Sequence, residues 1–326
     1  MKILIVGMGS AGQRHARVTR NQFPNSQIDF FRGEHRMGLI SPDLKSISDS
    51  QDPGNFYGLV EIFDIEKISK KYDLIIIATP VDSHYYYFNL LYKNTQRILI
   101  EKPLSNDIHH SDIIFDHAAR GAIEILVGYQ HFYNPIFQMI KLNFTRFEKI
   151  HAISMKYIES LNHMNPFRDM STHHLSTLKG GGAMLALSHE IDLLLSLAPE
   201  RISKLSVKEY SSNIDFPVLD SCEIKTRSLI FSKPKINLEL SFANRANERS
   251  GVITSMKSEI QWDLLQKYLV LRNHKSEKKI FFDFNADDLM RHQLVDFIEG
   301  KISRSELLIR LNRAREIVKM SSTHSS

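Results

Sequence analysis

The stretch Lys2-Ile3-Leu4-Ile5-Val6-Gly7-Met8-Gly9-Ser10-Ala11-Gly12 decides the fold. An apolar run of strand length enters a G-x-G-x-x-G turn, and a helical pattern over 11–21 leaves it. In such a strand–turn–helix unit each glycine has its own task. Gly7 makes the tight turn, Gly9 lets backbone amides approach a pyrophosphate, and Gly12 allows helix and strand to pack closely. The helix N-terminus, with Ser10 and Ala11, then faces the phosphates. The same turn also occurs without a ligand, so its meaning depends on the rest of the chain.

Working outward, short apolar runs at 27–31, 74–78, 97–100 and 123–127 read as further strands. Patterns at 65–71, 82–92 and 105–120 read as helices between them, whereas 33–55, polar and broken by Pro and Gly, reads as loop. This alternation predicts an α/β fold with a doubly wound parallel sheet over residues 1–125. From 126 the grammar changes. Strand patterns at 149–158, 203–210, 223–231, 236–242, 259–263, 268–271 and 279–282 alternate apolar and polar positions, as an open, mostly antiparallel sheet does. Strong helices are expected at 183–197, 288–299 and 303–320. A second α/β domain over 126–326 follows, which suits a chain of 326 residues, beyond the roughly 250 to 300 that one core supports.

Composition narrows the function classes. With 42% apolar and 24% charged residues and no apolar run of spanning length, membrane insertion is not expected. The single cysteine, Cys222, excludes an internal disulfide, and the chain opens on a strand with no signal pattern, which points to the cytoplasm. The net charge of +5 is dispersed, giving no basic arm for nucleic acid; an anionic small molecule fits the surplus equally well. The pairs His109-His110 and His173-His174 lack the spacing of a helical zinc site, so no metal is assigned.

The second strand ends in Phe31-Arg32-Gly33-Glu34-His35-Arg36. Dinucleotide folds specific for NAD usually place an acid there to bind ribose hydroxyls. Arg32 and Arg36 suit a 2′-phosphate, which favours NADP(H) over NAD(H), while Glu34 keeps the acid in play. Another cofactor edge is Ala78-Thr79-Pro80, where a strand meets a helix at the carboxyl end of the sheet. His84 nearby reads either as a packing or capping residue or as a ligand contact. Glu101-Lys102-Pro103 closes a further strand, and Pro103 fixes the backbone where Lys102 leaves the sheet.

Taken in order, G-x-G-x-x-G with His15, A-T-P-x-x-x-H, E-K-P, Val127-Gly128-Tyr129-Gln130, and Gly180-Gly181-Gly182 followed by His189-Glu190-Ile191-Asp192 resemble the Gfo/Idh/MocA family. That family takes its name from glucose-fructose oxidoreductase, inositol dehydrogenase and rhizopine catabolism, and the resemblance runs from residue 2 to about 310. It implies a Rossmann domain, a second domain whose open sheet forms a homodimer or homotetramer interface, and redox chemistry on sugars and cyclitols. It also implies a cis peptide at Pro103. Ser188 to Asp192 and Asn165-Pro166-Phe167-Arg168-Asp169 look most like oxidoreductases of bacterial surface-glycan pathways.

On this reading Lys102 binds the substrate oxygen, and His189 exchanges the carbinol proton because a neutral imidazole has the right basicity. Asp192, one turn on, would orient it or cap a neighbouring element. Glu101 joins the cofactor residues, and Gln130, Tyr157, Arg168 and Lys179 are candidates for the substrate, with His173 and His174 in the same loop. Arg168 and Lys179 suit a phosphate or carboxylate. Two departures stand out: Ala186 replaces the acid that relatives carry one turn before the histidine, and Gln130 replaces an expected asparagine. They leave open a cofactor-binding regulator without turnover. A glycoside hydrolase using NAD transiently is a further alternative.

Overall fold

A computed structural model describes residues 1–33, 38–41, 46–48, 51–121, 123–144, 147, 149–160, 180–197, 205–211, 219–226, 234–242 and 246–322. The chain divides into two compact units, residues 1–129 with 286–319, and residues 130–285 with 320–326.

The first unit is built on β1 (Lys2–Val6), β2 (Gln27–Phe31), β5 (Val60–Glu61), β6 (Leu74–Ile77), β7 (Arg97–Ile100) and β8 (Glu124–Val127). All pairings are parallel, in the order β5-β2-β1-β6-β7-β8. A small separate pair, β3 (Leu39–Ile40) and β4 (Ser46–Ser48), lies in the stretch read as loop. The helices are α1 (Ser10–Gln22), the single turn α2 (Pro53–Phe56), α3 (His84–Leu91) and α4 (Ile108–Ala119). The central strands read as continuous apolar runs because helices cover both faces, and Ile3 to Val6 and Leu74 to Ile77 are fully buried. Each such side chain contributes about 1.5–3 kcal/mol by leaving water. The expected helix at 65–71 is absent: one weak turn bond from Ile68 N to Ile65 O forms, and so short a segment cannot nucleate a helix without packing.

The second unit holds an eight-stranded sheet in the order β10-β11-β12-β9-β13-β14-β15-β16. Its strands are β9 (Ile150–Ile158), β10 (Leu205–Tyr210), β11 (Ser221–Thr226), β12 (Lys235–Ser241), β13 (Glu248–Ser255), β14 (Ser258–Asp263), β15 (Tyr268–Asn273) and β16 (Glu277–Phe281). Only β9 with β12 is parallel. One face carries Ile153, Met155, Ile224, Leu238, Leu240, Ile253, Ile260 and Trp262, all buried. The helices here are α5 (Pro135–Phe144), α6 (Gly182–Ala186) and α7 (His189–Leu197). Two of these elements, α5 and β13, were not expected. β13 is polar with Gly251 at its centre, which hides its strand character; a Cβ there would come within 2.2 Å of the Trp262 ring.

The helix expected at 183–197 is two helices. Ser188 donates its hydroxyl to Leu185 O at 2.8 Å and its carbonyl accepts from Asp192 N, so the backbone stops and restarts there. The last two helices, α8 (Ala286–Ile298) and α9 (Arg304–Ser322), correct the expected boundary at 125/126, because residues 286–319 belong with the first unit. Met290, Leu294 and Phe297 join the core of Ile3, Ile5 and Leu74. Arg17 grips Asp287 with two hydrogen bonds of 2.7 and 2.8 Å, and Gln293 donates to Val127 O. No helix among the described residues is long and apolar enough to cross a membrane.

Candidate functional site

In the first unit the glycine turn is as tight as its spacing implies. Gly7 has φ +98° and donates to Phe31 O at 2.7 Å, while a Cβ on it would lie 2.5 Å from Ala78 O. A Cβ on Gly12 would lie 1.9 Å from Gly7 O, a clash between backbones that cannot relax. Gly9 caps α1 without a side chain, no acid occupies the first turn, and the amides from Ser10 onward have no side-chain cap. That is the cradle a pyrophosphate requires, so these residues fit a dinucleotide. Gln13 secures the neighbouring segment by donating to Met8 O and Gly38 O and accepting from Ile40 N.

Glu101 and Lys102 leave the carboxyl end of β7. Glu101 accepts from His15 Nε2 at 2.7 Å and from the Lys102 amide at 3.2 Å, so its two oxygens are committed within the unit. Burial alone would raise its pKa, but the His15 hydrogen bond and charge, with Lys102, outweigh that and hold the carboxyl below its ordinary range. Gly128 is matched to it, since a Cβ there would lie 2.8 Å from Glu101 Oε2. Glu101 therefore braces the edge where Lys102 stands. The Lys102-Pro103 peptide is cis.

His84, read as a packing residue or a ligand contact, is buried between two backbone carbonyls. Its Nδ1 lies 3.0 Å from Pro103 O and its Nε2 2.9 Å from Thr79 O, so the ring stands between the two edge loops, and in its neutral form it donates to one of these carbonyls. Burial lowers its pKa against the pull of these carbonyls and Glu101. Thr79 is half-buried and Pro80 exposed at the strand end, and Ser83 donates to Thr79 Oγ1 at 2.9 Å. Arg32, read as suited to a 2′-phosphate, is ion-paired with Asp52 at 2.6 Å and with Glu61 at 2.7 Å.

In the second unit His189 is the first residue of α7 and is buried, as are Glu190 and Asp192. The His131 ring stands against it edge-on, with centroids 4.5 Å apart. Arg249 organises the surroundings. Its Nε donates to Glu190 Oε1 at 2.6 Å, its Nη1 lies 3.2 Å from His131 Nε2, and its guanidinium sits 4.0 Å over the Tyr157 ring. An arginine N–H only donates, so His131 Nε2 is an acceptor here and the ring is neutral. Tyr157 donates to Glu159 Oε2 at 2.6 Å. Burial pushes its phenol far up, with Arg249 opposing and Glu159 and Glu190 assisting, so it stays protonated. Tyr157, expected at the substrate, lies under the Arg249 guanidinium as its platform.

His131, Glu190 and Arg249 were missed because Arg249 stands 59 positions from Glu190 and 118 from His131, and the three share no local spacing. Gln130 opens a 3-10 turn and is half-buried, and Ala186 is buried in α6. Glu34, Arg36, Arg168, His173, His174 and Lys179 lie outside the described residues. Among the described residues no group of His, Cys, Asp and Glu could hold a metal ion.

The chain thus has the parts of a dinucleotide-binding Rossmann unit and a second, mostly antiparallel domain. Residues 1–129 match the GFO_IDH_MocA family model, described as an oxidoreductase family with an NAD-binding Rossmann fold. The match is confined to these residues of the first unit and agrees with the resemblance carried by their motifs. A curated relative, 1-carboxy-3-chloro-3,4-dihydroxycyclohexa-1,5-diene dehydrogenase of Comamonas testosteroni, is 26% identical over 213 residues, 63% of this chain. The match spans about half of that relative, 49% of its length. Among solved structures, UDP-N-acetylglucosamine 3-dehydrogenase GnnA of Acidithiobacillus ferrooxidans superposes with a TM-score of 0.76 at 15% identity, covering 99% of this chain and 96% of the other. Levoglucosan dehydrogenase, solved with NADH and levoglucosan, gives 0.75 at 14%, covering 99% and 97%. At such identities these likenesses establish the fold alone.

Proposed function

We propose that this protein is an NAD(P)-dependent oxidoreductase that moves a hydride between nicotinamide C4 and a carbinol or carbonyl carbon of a sugar-like small molecule. The observation that carries this reading is the uncapped glycine turn joined through His15 and Glu101 to Lys102. Gly7, Gly9, Ser10, Ala11 and Gly12 would hold the pyrophosphate, and Thr79 and Pro80 the neighbouring edge. A bound nicotinamide supplies or accepts the hydride.

Lys102 presents a cation at the carboxyl end of the sheet, suited to hold the substrate oxygen as its bond order to carbon changes. His189 accepts the hydroxyl proton in oxidation and returns it in reduction, with Asp192 and the neutral His131 ring beside it to fix its orientation. The names of the relatives, a diol dehydrogenase and two sugar dehydrogenases, support a polyhydroxylated substrate. The dispersed positive charge suits an anionic one, such as a surface-glycan precursor. Self-association as a homodimer or homotetramer through the eight-stranded sheet belongs to the same reading and is checked by light scattering.

The test follows nicotinamide absorbance while sugars, cyclitols and nucleotide sugars are offered to the wild type and to Lys102→Ala. Turnover that disappears in the variant supports the assignment, and turnover that survives it removes Lys102 from the chemistry. A second reading, a cofactor-binding regulator, is favoured by Ala186, buried where relatives carry a carboxylate. It predicts dinucleotide binding with no turnover on any substrate.

A further inference from the structure

Arg32 follows β2, at the place where dinucleotide folds meet the adenosine ribose. The sequence offers no carboxylate at 32 or 33, and an open arginine there would suit a 2′-phosphate. Tertiary structure changes that balance. Arg32 Nη2 lies 2.6 Å from Asp52 Oδ2 and donates to Glu61 Oε2 at 3.2 Å, and its Nε makes an ion-pair contact of 2.7 Å with Glu61 Oε1. Its guanidinium also lies 4.9 Å over the Phe30 ring. The arginine side chain is only 7% exposed, while Asp52 is 32% and Glu61 23% exposed.

Both acids are placed by the backbone independently of Arg32. Asp52 caps α2, accepting from Asn55 N at 3.1 Å, and Glu61 lies in β5, in parallel register with Phe30. These three described side chains sum to one negative charge. An incoming 2′-phosphate, with a charge of about −1.5 to −2 at neutral pH, would meet that surplus. To reach the guanidinium it would displace a carboxylate and leave that acid without its partner. A ribose 2′-hydroxyl has the opposite need, since it can donate to a carboxylate oxygen already in place.

We infer that Asp52 and Glu61 supply, from α2 and β5, the acid missing from the end of β2, and that by occupying Arg32 they select NAD(H) over NADP(H). The inference rests on the reading that the first unit binds a nicotinamide dinucleotide. It assigns Asp52 and Glu61 as specificity-determining residues and gives Arg32 the task of holding them.

The experiment is a fluorescence titration of NADH and NADPH into the wild type, Asp52→Asn, Glu61→Gln and the double variant. Asparagine caps a helix as well as aspartate does, so Asp52→Asn keeps α2. The wild type should bind NADH about tenfold or more tightly than NADPH, the scale of one charge-assisted hydrogen bond. In the double variant NADPH affinity should rise about tenfold, narrowing or inverting the preference. A wild type that binds NADPH as tightly as NADH or more so overturns the inference alone, whatever the variants do. So does a preference for NADH that the double variant leaves intact. Binding of neither dinucleotide by a folded wild type overturns the oxidoreductase reading and the inference together.

Discussion

His15 Nε2 lies 2.7 Å from Glu101 Oε1, joining the helix that begins at the glycine turn to the strand end that carries Lys102. The contact spans 86 positions of sequence and links the helix after the glycine turn to the Glu101-Lys102-Pro103 edge. It is part-buried, with His15 wholly enclosed and Glu101 14% exposed.

Removing Glu101 takes this partner from the enclosed His15 ring, whereas removing His15 leaves Glu101 the Lys102 amide. Glu101→Ala should cost about 3 kcal/mol in urea unfolding, and Glu101→Gln, which can still accept from His15, clearly less. The double variant His15→Ala/Glu101→Ala should cost less than the sum of the two single changes, by about 1–3 kcal/mol. Additive losses would show that the two side chains do not act as a pair.

Two of the groups with shifted pKa values respond to acid in separate windows. His84 has a folded pKa below its ordinary 6.5, so the unfolded chain takes up a proton that the folded chain refuses. Its contribution is complete above pH about 6.5 and is lost as pH falls from there toward the folded pKa. Glu101 is depressed below 4.5, so its stabilisation is complete above that value and is lost on further acidification. His84→Gln should therefore flatten the stability profile below about pH 6.5 and leave the steeper loss at lower pH. Unfolding titrations across this range decide it, and an unchanged upper window would contradict the assignment.

Gly12→Ala forces a Cβ against Gly7 O, where no side chain can move aside. The turn must open, and dinucleotide affinity should fall by about 100-fold or more even where the variant remains folded. Fluorescence titration beside a circular dichroism spectrum separates loss of binding from loss of fold. Retained affinity would mean that this turn is not the binding element.

Arg249 should be intolerant of change in a graded way. Arg249→Met removes the guanidinium from the buried Glu190 carboxylate, costing about 3–5 kcal/mol. Arg249→Lys keeps the charge but cannot reach Glu190 and His131 together. The lysine variant should lower kcat and displace the pH profile of turnover, because His131 loses the donor that fixes its protonation beside His189. A lower kcat with an unmoved pH profile would reduce Arg249 to a packing role.

Much of this was readable in the sequence. The parallel sheet, the phosphate turn and the E-K-P edge are carried by contiguous residues whose spacing has a direct steric meaning. What escaped depends on residues brought together only by folding. The Arg249, Glu190 and His131 group comes from β13, α7 and a 3-10 turn, and no periodicity announces it. Arg32 looked like an open cation because Asp52 and Glu61 meet it only once α2 and β5 are in place. The return of α8 to the first unit, held by Arg17 and Asp287, is invisible to any local pattern.

The central claim is hydride transfer, and isotope transfer tests it most directly. The reduced nicotinamide dinucleotide carrying deuterium at both C4 positions would be incubated with the protein and a panel of oxidised sugars, cyclitols and nucleotide sugars, and the products weighed by mass spectrometry. The account predicts deuterium on a carbinol carbon of one product, absent with Lys102→Ala. Deuterium that stays in the cofactor throughout the panel, while the dinucleotide is tightly bound, would contradict it.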